Sequence, residues 1–148
     1  ILTDSVCNIW VEPVLAFQEV GIGLTHKKPD IVITKDKEVI GVIELKFVPW
    51  GEADYIEDVN KLEKLSRECG KRIYLLQDIY SGEWRKDEES SFTISSNLLS
   101  VFAVIAKMNS YALDKNKWRD LSLPVNFIHL TGEISGKKEV EPVFKVSE

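Results

Sequence analysis

The chain has little cysteine, and its two thiols, Cys7 and Cys69, do not form a metal-ligand pattern. Because only one pair is available, a disulfide framework is not expected. We predict two free, partly buried thiols and a reducing, cytoplasmic location.

Long apolar runs and surplus positive charge are also missing. No apolar run is long enough to span a bilayer and no signal peptide is visible, so we expect no membrane partner. The net charge of −5 argues against strong nonspecific binding to a nucleic-acid backbone, which needs clustered lysine and arginine. A chain of this charge that acts on nucleic acid would need a basic surface from an additional domain or from a second copy in a homodimer.

What the chain does have is enough apolar material for a core. Its 148 residues, 44% of them hydrophobic, predict a single domain spanning residues 1–148. The sequence begins at Ile1 without a methionine, which fits a fragment of a longer chain.

The most informative stretch is residues 28–47, KPDIVITKDKEVIGVIELKF. The β-branched residues 31–33 and 39–47 predict two strands, and the polar residues 34–38 predict the turn between them. The first strand opens on Asp30, and the second ends in Glu44 and Lys46. The hairpin thus brings two acids and a lysine to strand ends.

The register of this hairpin decides whether the two acids meet. A two-residue turn would pair Asp30 with Ile43 and put the two carboxylates on opposite faces. A three-residue turn would pair Asp30 with Glu44, with Cβ atoms about 5 Å apart. We predict the three-residue turn, or a bulge of the same parity, with Asp36 in the left-handed conformation.

Two acids on a mostly buried strand pair repel each other and are costly to desolvate. A hard divalent cation such as Mg²⁺ removes both objections, since it prefers carboxylate oxygens and keeps several waters. Lys46 lies on the same face as Glu44, roughly 6.6 Å along the strand. It is placed to orient or help deprotonate a metal-bound water, or to stabilise phosphate charge.

Pro29-Asp30 and Glu44-Leu45-Lys46 together resemble the signature of the PD-(D/E)XK nuclease superfamily, over roughly residues 8 to 80. The resemblance implies an α/β fold with a restriction-endonuclease-like core, a mixed β-sheet flanked by helices. It implies that Asp30 and Glu44 bind Mg²⁺, or Mn²⁺ in its place, and that Lys46 assists the attacking water. The implied substrate is DNA, with RNA as an alternative.

Members of that superfamily often carry a further acid on a first helix, and Glu12 and Glu19 are the candidates. The residues themselves favour an extended segment over 8–20, because Pro13 interrupts any regular helix there. Which of the two acids contributes, if either does, is left open by the sequence.

A helix is predicted over residues 53–69, with a buried stripe at helical spacing: Ile56, Val59, Leu62 and Leu65. Its charged face, including a Glu57–Lys61 pair, has two interpretations. One is plain solvation, and the other is that Asp58 or Lys61 overlooks the metal site. A parallel strand is predicted next, over residues 72–79.

The remainder of the chain is harder to assign. Periodicity does not distinguish a helix from a strand over the apolar residues 96–106, and we favour a helix because Ser95 and Ser96 suit an N-cap. We also predict a helix over 109–121 and strands over 125–134 and 139–146, with His129 packed inside the first of these strands. Two functions remain open. One is a metal-dependent nuclease, and the other is a catalytically inactive binding or interaction module on the same fold.

Overall fold

A computed structural model describes residues 6–19, 23–48, 55–76, 91–107, 121–134 and 143–147. These residues form one helix, α1 (Ile56–Ser66), and nine strands: β1 (Asn8–Val11), β2 (Val14–Glu19), β3 (Gly23–Lys27), β4 (Ile31–Lys35), β5 (Glu38–Val48), β6 (Arg72–Leu76), β7 (Ser91–Lys107), β8 (Phe127–Ile134) and β9 (Val143–Ser147). The chain is thus a mixed β-sheet with a helix, which fits the predicted α/β class only coarsely.

The hydrogen-bonded strand order is β1-β4-β5-β7-β6-β2-β3, with β8 next to β7 and β9 next to β8. The chain forms two compact units. The first contains Ile1–Ile43 and Arg67–Leu98, and the second contains Glu44–Ser66 and Leu99–Glu148. The prediction of a single domain stays a prediction.

The first unit is built from antiparallel pairs, β1 with β4, β4 with β5, β2 with both β3 and β6, and β6 with β7. Its core is formed by buried apolar side chains from five strands: Val14, Leu15, Ala16, Phe17, Val32, Val39, Val42, Ile73, Leu75, Phe92, Ile94 and Leu98. Burial of this apolar surface is the main stabilising contribution to the unit.

The turn of the β4–β5 hairpin has two residues, so the prediction of a three-residue turn was wrong. Asp36 has φ 49° and Lys37 has φ 66°, which are both left-handed. Two positive φ angles give a turn whose twist matches that of the flanking strands, so this geometry is favoured even without glycine. The left-handed conformation predicted for Asp36 is confirmed.

The register of the hairpin is nevertheless the predicted one. The pairing shifts by one residue between Ile33 and Thr34, and beyond this bulge Ile31 pairs with Ile43. The bulge therefore restores the parity that a three-residue turn would have given.

Aromatic and polar contacts hold the turn of this hairpin. The Lys37 carbonyl accepts a hydrogen bond from the Thr93 amide at 3.0 Å, and the Lys37 ammonium lies 4.9 Å from the centre of the Phe92 ring. Trp10 meets the same ring edge-on at 5.8 Å and donates through Nε1 to Thr34 Oγ1 at 2.9 Å. These contacts fix the turn against β1 and β7.

The extended conformation predicted for residues 8–20 is confirmed over the described part, which divides into β1 and β2 on either side of Pro13. The parallel pairing predicted for the strand at 72–79 was wrong. In the described residues, β6 is antiparallel to both β2 and β7. The first part of β7 occupies the position beside β6 that a crossover would have given to β5.

The helix predicted over residues 96–106 was also wrong, because these residues belong to β7. Buried side chains occur at four successive positions, 101 to 104, so both faces of the strand are covered. A segment buried on all sides has no polar periodicity that separates a strand from a helix. The helix predicted over 109–121 falls almost entirely outside the described residues.

In the second unit, α1 places Val59, Leu62 and Leu65 in the core, as the stripe predicted, whereas Ile56 is 52% exposed. The described helix is shorter than the predicted range of 53–69. β7 is parallel to β8, and β8 is antiparallel to β9. Both predicted C-terminal strands are thus confirmed within the described residues, the first beginning at Phe127 and the second ending at Ser147. No helix in the described part of the chain is long and apolar enough to cross a membrane.

His129 is a packed strand histidine, as predicted. It is buried on β8, its ring stacks on Phe102 with centroids 6.1 Å apart, and its Nε2 lies 3.1 Å from Thr131 Oγ1. Cys7 and Cys69 do not form a disulfide with each other. Both thiols are exposed, so the expected partial burial was wrong.

Gly70, in the turn between α1 and β6, generates a first prediction. Its φ is 81°, and an added Cβ would meet nothing within 4 Å, so Gly70→Ala introduces only backbone strain. We expect a loss of about 1 kcal/mol in the free energy of unfolding, measured by urea denaturation. Gly41→Ala is the matched control, because its Cβ would make ordinary contacts at 3.5 Å with Ile33. Equal losses in the two variants would contradict the assignment of strain to Gly70.

Candidate active site

Strand β5 places Glu44 and Lys46 on one face, because alternate side chains of a strand point the same way. Glu44 is 2% exposed and Lys46 is half-buried, whereas Leu45 and Phe47 are exposed on the opposite face. The sequence Glu-Leu-Lys thus delivers a buried carboxylate and a partly accessible ammonium to the same side of the second unit.

Helix α1 supplies the partners of these two groups. Asp58 is in its first turn, where a negative charge interacts favourably with the helix dipole. Lys61 follows three residues later, so it lies on the same face of the helix. The buried stripe of α1 packs into the core of the unit and leaves these two side chains half-buried.

The four side chains form one charged cluster, named here the strand–helix cluster: Glu44, Lys46, Asp58 and Lys61. Lys61 Nζ donates to Glu44 Oε2 at 2.9 Å. Lys46 Nζ lies 3.2 Å from Asp58 Oδ2, and Lys61 Nζ lies 4.0 Å from Asp58 Oδ1. The two carboxylates and two ammonium groups therefore alternate along a chain of contacts.

Burial makes the Glu44–Lys61 contact the strongest constraint in this cluster. A carboxylate removed from water is tolerated only beside a cation or a set of donors, because its desolvation costs several kcal/mol. Lys61 meets that need while keeping 33% of its side chain exposed. The Lys46–Asp58 pair is more accessible and contributes less, on the order of 0.5 kcal/mol.

The three predicted site residues are divided between the two units. Glu44 and Lys46 share the strand–helix cluster of the second unit, whereas Asp30 belongs to the first unit. Asp30 is half-buried, immediately before β4, and its carbonyl accepts a hydrogen bond from the Glu12 amide at 2.7 Å. Its role as a metal ligand stays a prediction.

The acids proposed upstream have different positions. Glu12 is exposed, has φ 47°, and touches the Asp30 backbone through its own amide. The side chain of Glu19 lies outside the described part of the chain. Neither acid is thereby assigned to a site.

Sequence reasoning raised Asp58 and Lys61 only as one of two interpretations, and it paired Lys61 with Glu57. The contacts with Glu44 and Lys46 exclude plain solvation for both helix residues. The signal in the sequence was a charged face beginning in the first turn of the helix. It could not name the partner, because Glu44 and Lys61 are 17 residues apart and meet only through tertiary packing.

The strand–helix cluster offers two carboxylates as oxygen donors, and both are already paired with lysine ammonium groups. The carboxylates of Glu44 and Asp58 both face the Lys61 ammonium, so oxygen donors already surround one cationic group. Mg²⁺ needs few protein oxygens, since it retains several waters. Across the described ranges, no group of three or more histidine, cysteine, aspartate or glutamate side chains is arranged to hold a metal ion.

Comparison with known proteins gives no match among protein-family models, curated proteins or solved structures.

The buried ion pair generates a second prediction. Lys61→Met keeps the length of the apolar stem but leaves the Glu44 carboxylate without this ammonium, so we expect the free energy of unfolding to fall by roughly 2 to 3 kcal/mol. Adding Glu44→Gln to Lys61→Met should recover at least about 1 kcal/mol, because the double variant has no buried charge to compensate. Urea denaturation of the four proteins in this cycle measures the coupling.

Lys64→Met is the matched control, since Lys64 is an exposed lysine one turn further along α1. It should change stability by no more than about 0.5 kcal/mol. Additive effects of the Glu44 and Lys61 substitutions would contradict a direct interaction.

Proposed function

We propose that this chain is a metal-dependent nuclease that hydrolyses phosphodiester bonds of DNA. In this proposal, its core is restriction-endonuclease-like, Glu44 and Asp30 hold Mg²⁺ or Mn²⁺, and Lys46 acts on the attacking water.

One observation carries the proposal. Glu44 is almost completely buried on β5, yet it carries a carboxyl group that pairs with the Lys61 ammonium, and it shares its face with Lys46 two residues along the strand. A core that needed only packing would be served better by an apolar residue at this position. A retained carboxylate with a neighbouring lysine is the arrangement that metal-assisted hydrolysis needs.

The roles follow from the chemistry of each group. The carboxylates of Glu44 and Asp30 are hard oxygen ligands, and the bound ion would lower the pKa of a water and offset phosphate charge. Lys46 is half-buried, so its ammonium retains access to water and to an entering phosphate. Asp58, at 3.2 Å from Lys46 Nζ, orients that ammonium.

The substrate and partners are proposed from the same chemistry. A phosphodiester is the group that needs both a cation and an activated water, and RNA is the alternative to DNA because the residues do not separate the two. The chain carries a net charge of −5, so it needs a basic surface from a second copy or from another domain to approach a polyanion.

A binding or interaction module on the same fold, without catalysis, is the second candidate. The observation that favours it is the internal neutrality of the strand–helix cluster, in which two ammonium groups already balance two carboxylates. Under this second candidate, the role of the cluster is structural, and it holds α1 against β5.

The third prediction tests catalysis. Glu44→Gln, Asp30→Asn and Lys46→Ala should each lower Mg²⁺-dependent cleavage by on the order of 100-fold or more, since each removes a ligand or the group that acts on water. Cleavage is measured on fluorescent single-stranded and duplex DNA and on RNA, with Mg²⁺ and with Mn²⁺, and with any required partner chain present.

Asp36→Asn and Glu38→Gln serve as matched controls. Both side chains are exposed near the hairpin turn, and each substitution removes one negative charge, as Asp30→Asn and Glu44→Gln do. They should retain wild-type rates. If the wild-type protein cleaves none of these substrates with either ion, the binding module replaces the nuclease.

A further inference from the structure

Strand β1 has backbone groups on an edge that its neighbour does not cover. In the described part of the chain, β4 is the one strand that pairs with β1. The Glu12 amide donates to the Asp30 carbonyl at 2.7 Å, one residue beyond the pair of Val11 with Ile31. Hydrogen-bonding residues alternate along an antiparallel ladder, so the even-numbered residues of β1 bond to β4. The amides and carbonyls of Ile9 and Val11 therefore point away from β4.

The side chains of the same two residues are apolar and exposed. Ile9 is 67% exposed, and Val11 is 59% exposed. They lie opposite Ile33 and Ile31 of β4, which are half-buried on the same face of the sheet. Exposed apolar side chains beside outward-pointing backbone groups are the features through which one strand pairs with another.

The edge also lacks the features that usually prevent such pairing. Natural sheet edges are commonly protected by charged side chains, by proline or by bulges. The described segment Val6–Val11 contains no charged residue and no proline, and Pro13 lies beyond the end of β1. The pairing of β1 with β4 is regular over all four residues of the strand, without a bulge.

A second copy of β1 is the partner that fits this edge. An antiparallel strand can pair with its own copy about a two-fold axis, because each contact between two positions is then made twice. Val6–Val11 carries no charge, so two copies of this acidic chain bring no like charges together along the segment. A charged peptide would gain no ion pair from the same residues.

Backbone direction also selects the register of such a pair. With Trp10 on the axis, Ile9 of each copy pairs with Val11 of the other, and all outward-pointing groups used lie within β1. An axis at Ile9 would pair Val11 with Cys7, which precedes the strand. An axis at Val11 would pair Ile9 with Pro13, which has no amide hydrogen.

We infer that the chain forms a two-fold homodimer in which β1 pairs with β1 of a second copy, with Trp10 on the axis. Strands of four residues form an interface smaller than the roughly 800 Å² per copy of a standard stable complex, so the dimer dissociates reversibly. The association needs neither metal nor substrate, so it holds or fails independently of the proposed function.

The first test is sedimentation equilibrium of the full chain, from about 1 μM to about 1 mM. The wild type should dimerise within this range. Val11→Lys should raise the dissociation constant by about 100-fold or more, because it places an ammonium from each copy at the apolar contact. Lysine is common on exposed edge strands, so the variant should keep the urea midpoint of the wild type.

Val125→Lys is the matched control, since Val125 is 83% exposed and lies outside β1. It adds the same charge to each copy and should change the dissociation constant by less than about twofold, because salt screens distant surface charges.

The second test fixes the register by disulfide cross-linking in a chain that carries Cys7→Ser and Cys69→Ser. A mixture of Ile9→Cys and Val11→Cys chains should form disulfide-linked dimers, because the two positions face each other with Cα atoms about 5.5 Å apart. Either variant alone should cross-link about tenfold less, because its own position in the two copies is offset beyond the roughly 7 Å that a disulfide spans. Val125→Cys mixed with Ile9→Cys gives the level from random collision.

A wild-type chain that stays monomeric up to about 1 mM overturns the inference, and the edge is then one for an extended apolar peptide of another protein. A dimer that Val11→Lys and Val125→Lys weaken equally also overturns it. Cross-linking of the Ile9→Cys and Val11→Cys mixture at no more than the collision level does the same.

Discussion

A carboxylate in the core of a sheet must be matched by a positive charge, and the second unit is arranged around that requirement. Glu44 is almost fully buried, and Lys61 reaches it at 2.9 Å. The contact joins β5 to α1, so the ion pair also fixes which face of the helix lies against the strand. Loss of Lys61 would remove this ammonium from a buried carboxylate, which is more costly than loss of a surface pair.

The same requirement connects the structure to function. An ion pair between two packed elements is rarely the most stabilising solution, because apolar residues of similar volume serve as well or better. Packing therefore gives no reason for a carboxylate at position 44, and we propose that its chemistry supplies one. In the proposed function, these groups serve a hard cation and an activated water.

The β4–β5 hairpin shows which structural features local sequence patterns predict and which they do not. The strands, the polar turn and the left-handed Asp36 followed from β-branched runs and from turn chemistry. The length of the turn did not, because a bulge in β5, opposite the step from Ile33 to Thr34, compensates for a shorter turn and gives the same register. A three-residue turn and a two-residue turn with a bulge give the same strand register, so the sequence alone does not distinguish them.

The sequence by itself determined the strand pair that carries Glu44 and Lys46, the shared face of these residues, and the buried stripe of α1. These features depend on side-chain periodicity, which is a local property. Only the tertiary structure decided that residues 91–107 form a strand, that β6 lies beside β7, and that Lys61 pairs with Glu44. Each of these features depends on which distant surfaces become buried together. For β7, burial on both faces also removes the polar periodicity from which a strand could have been predicted.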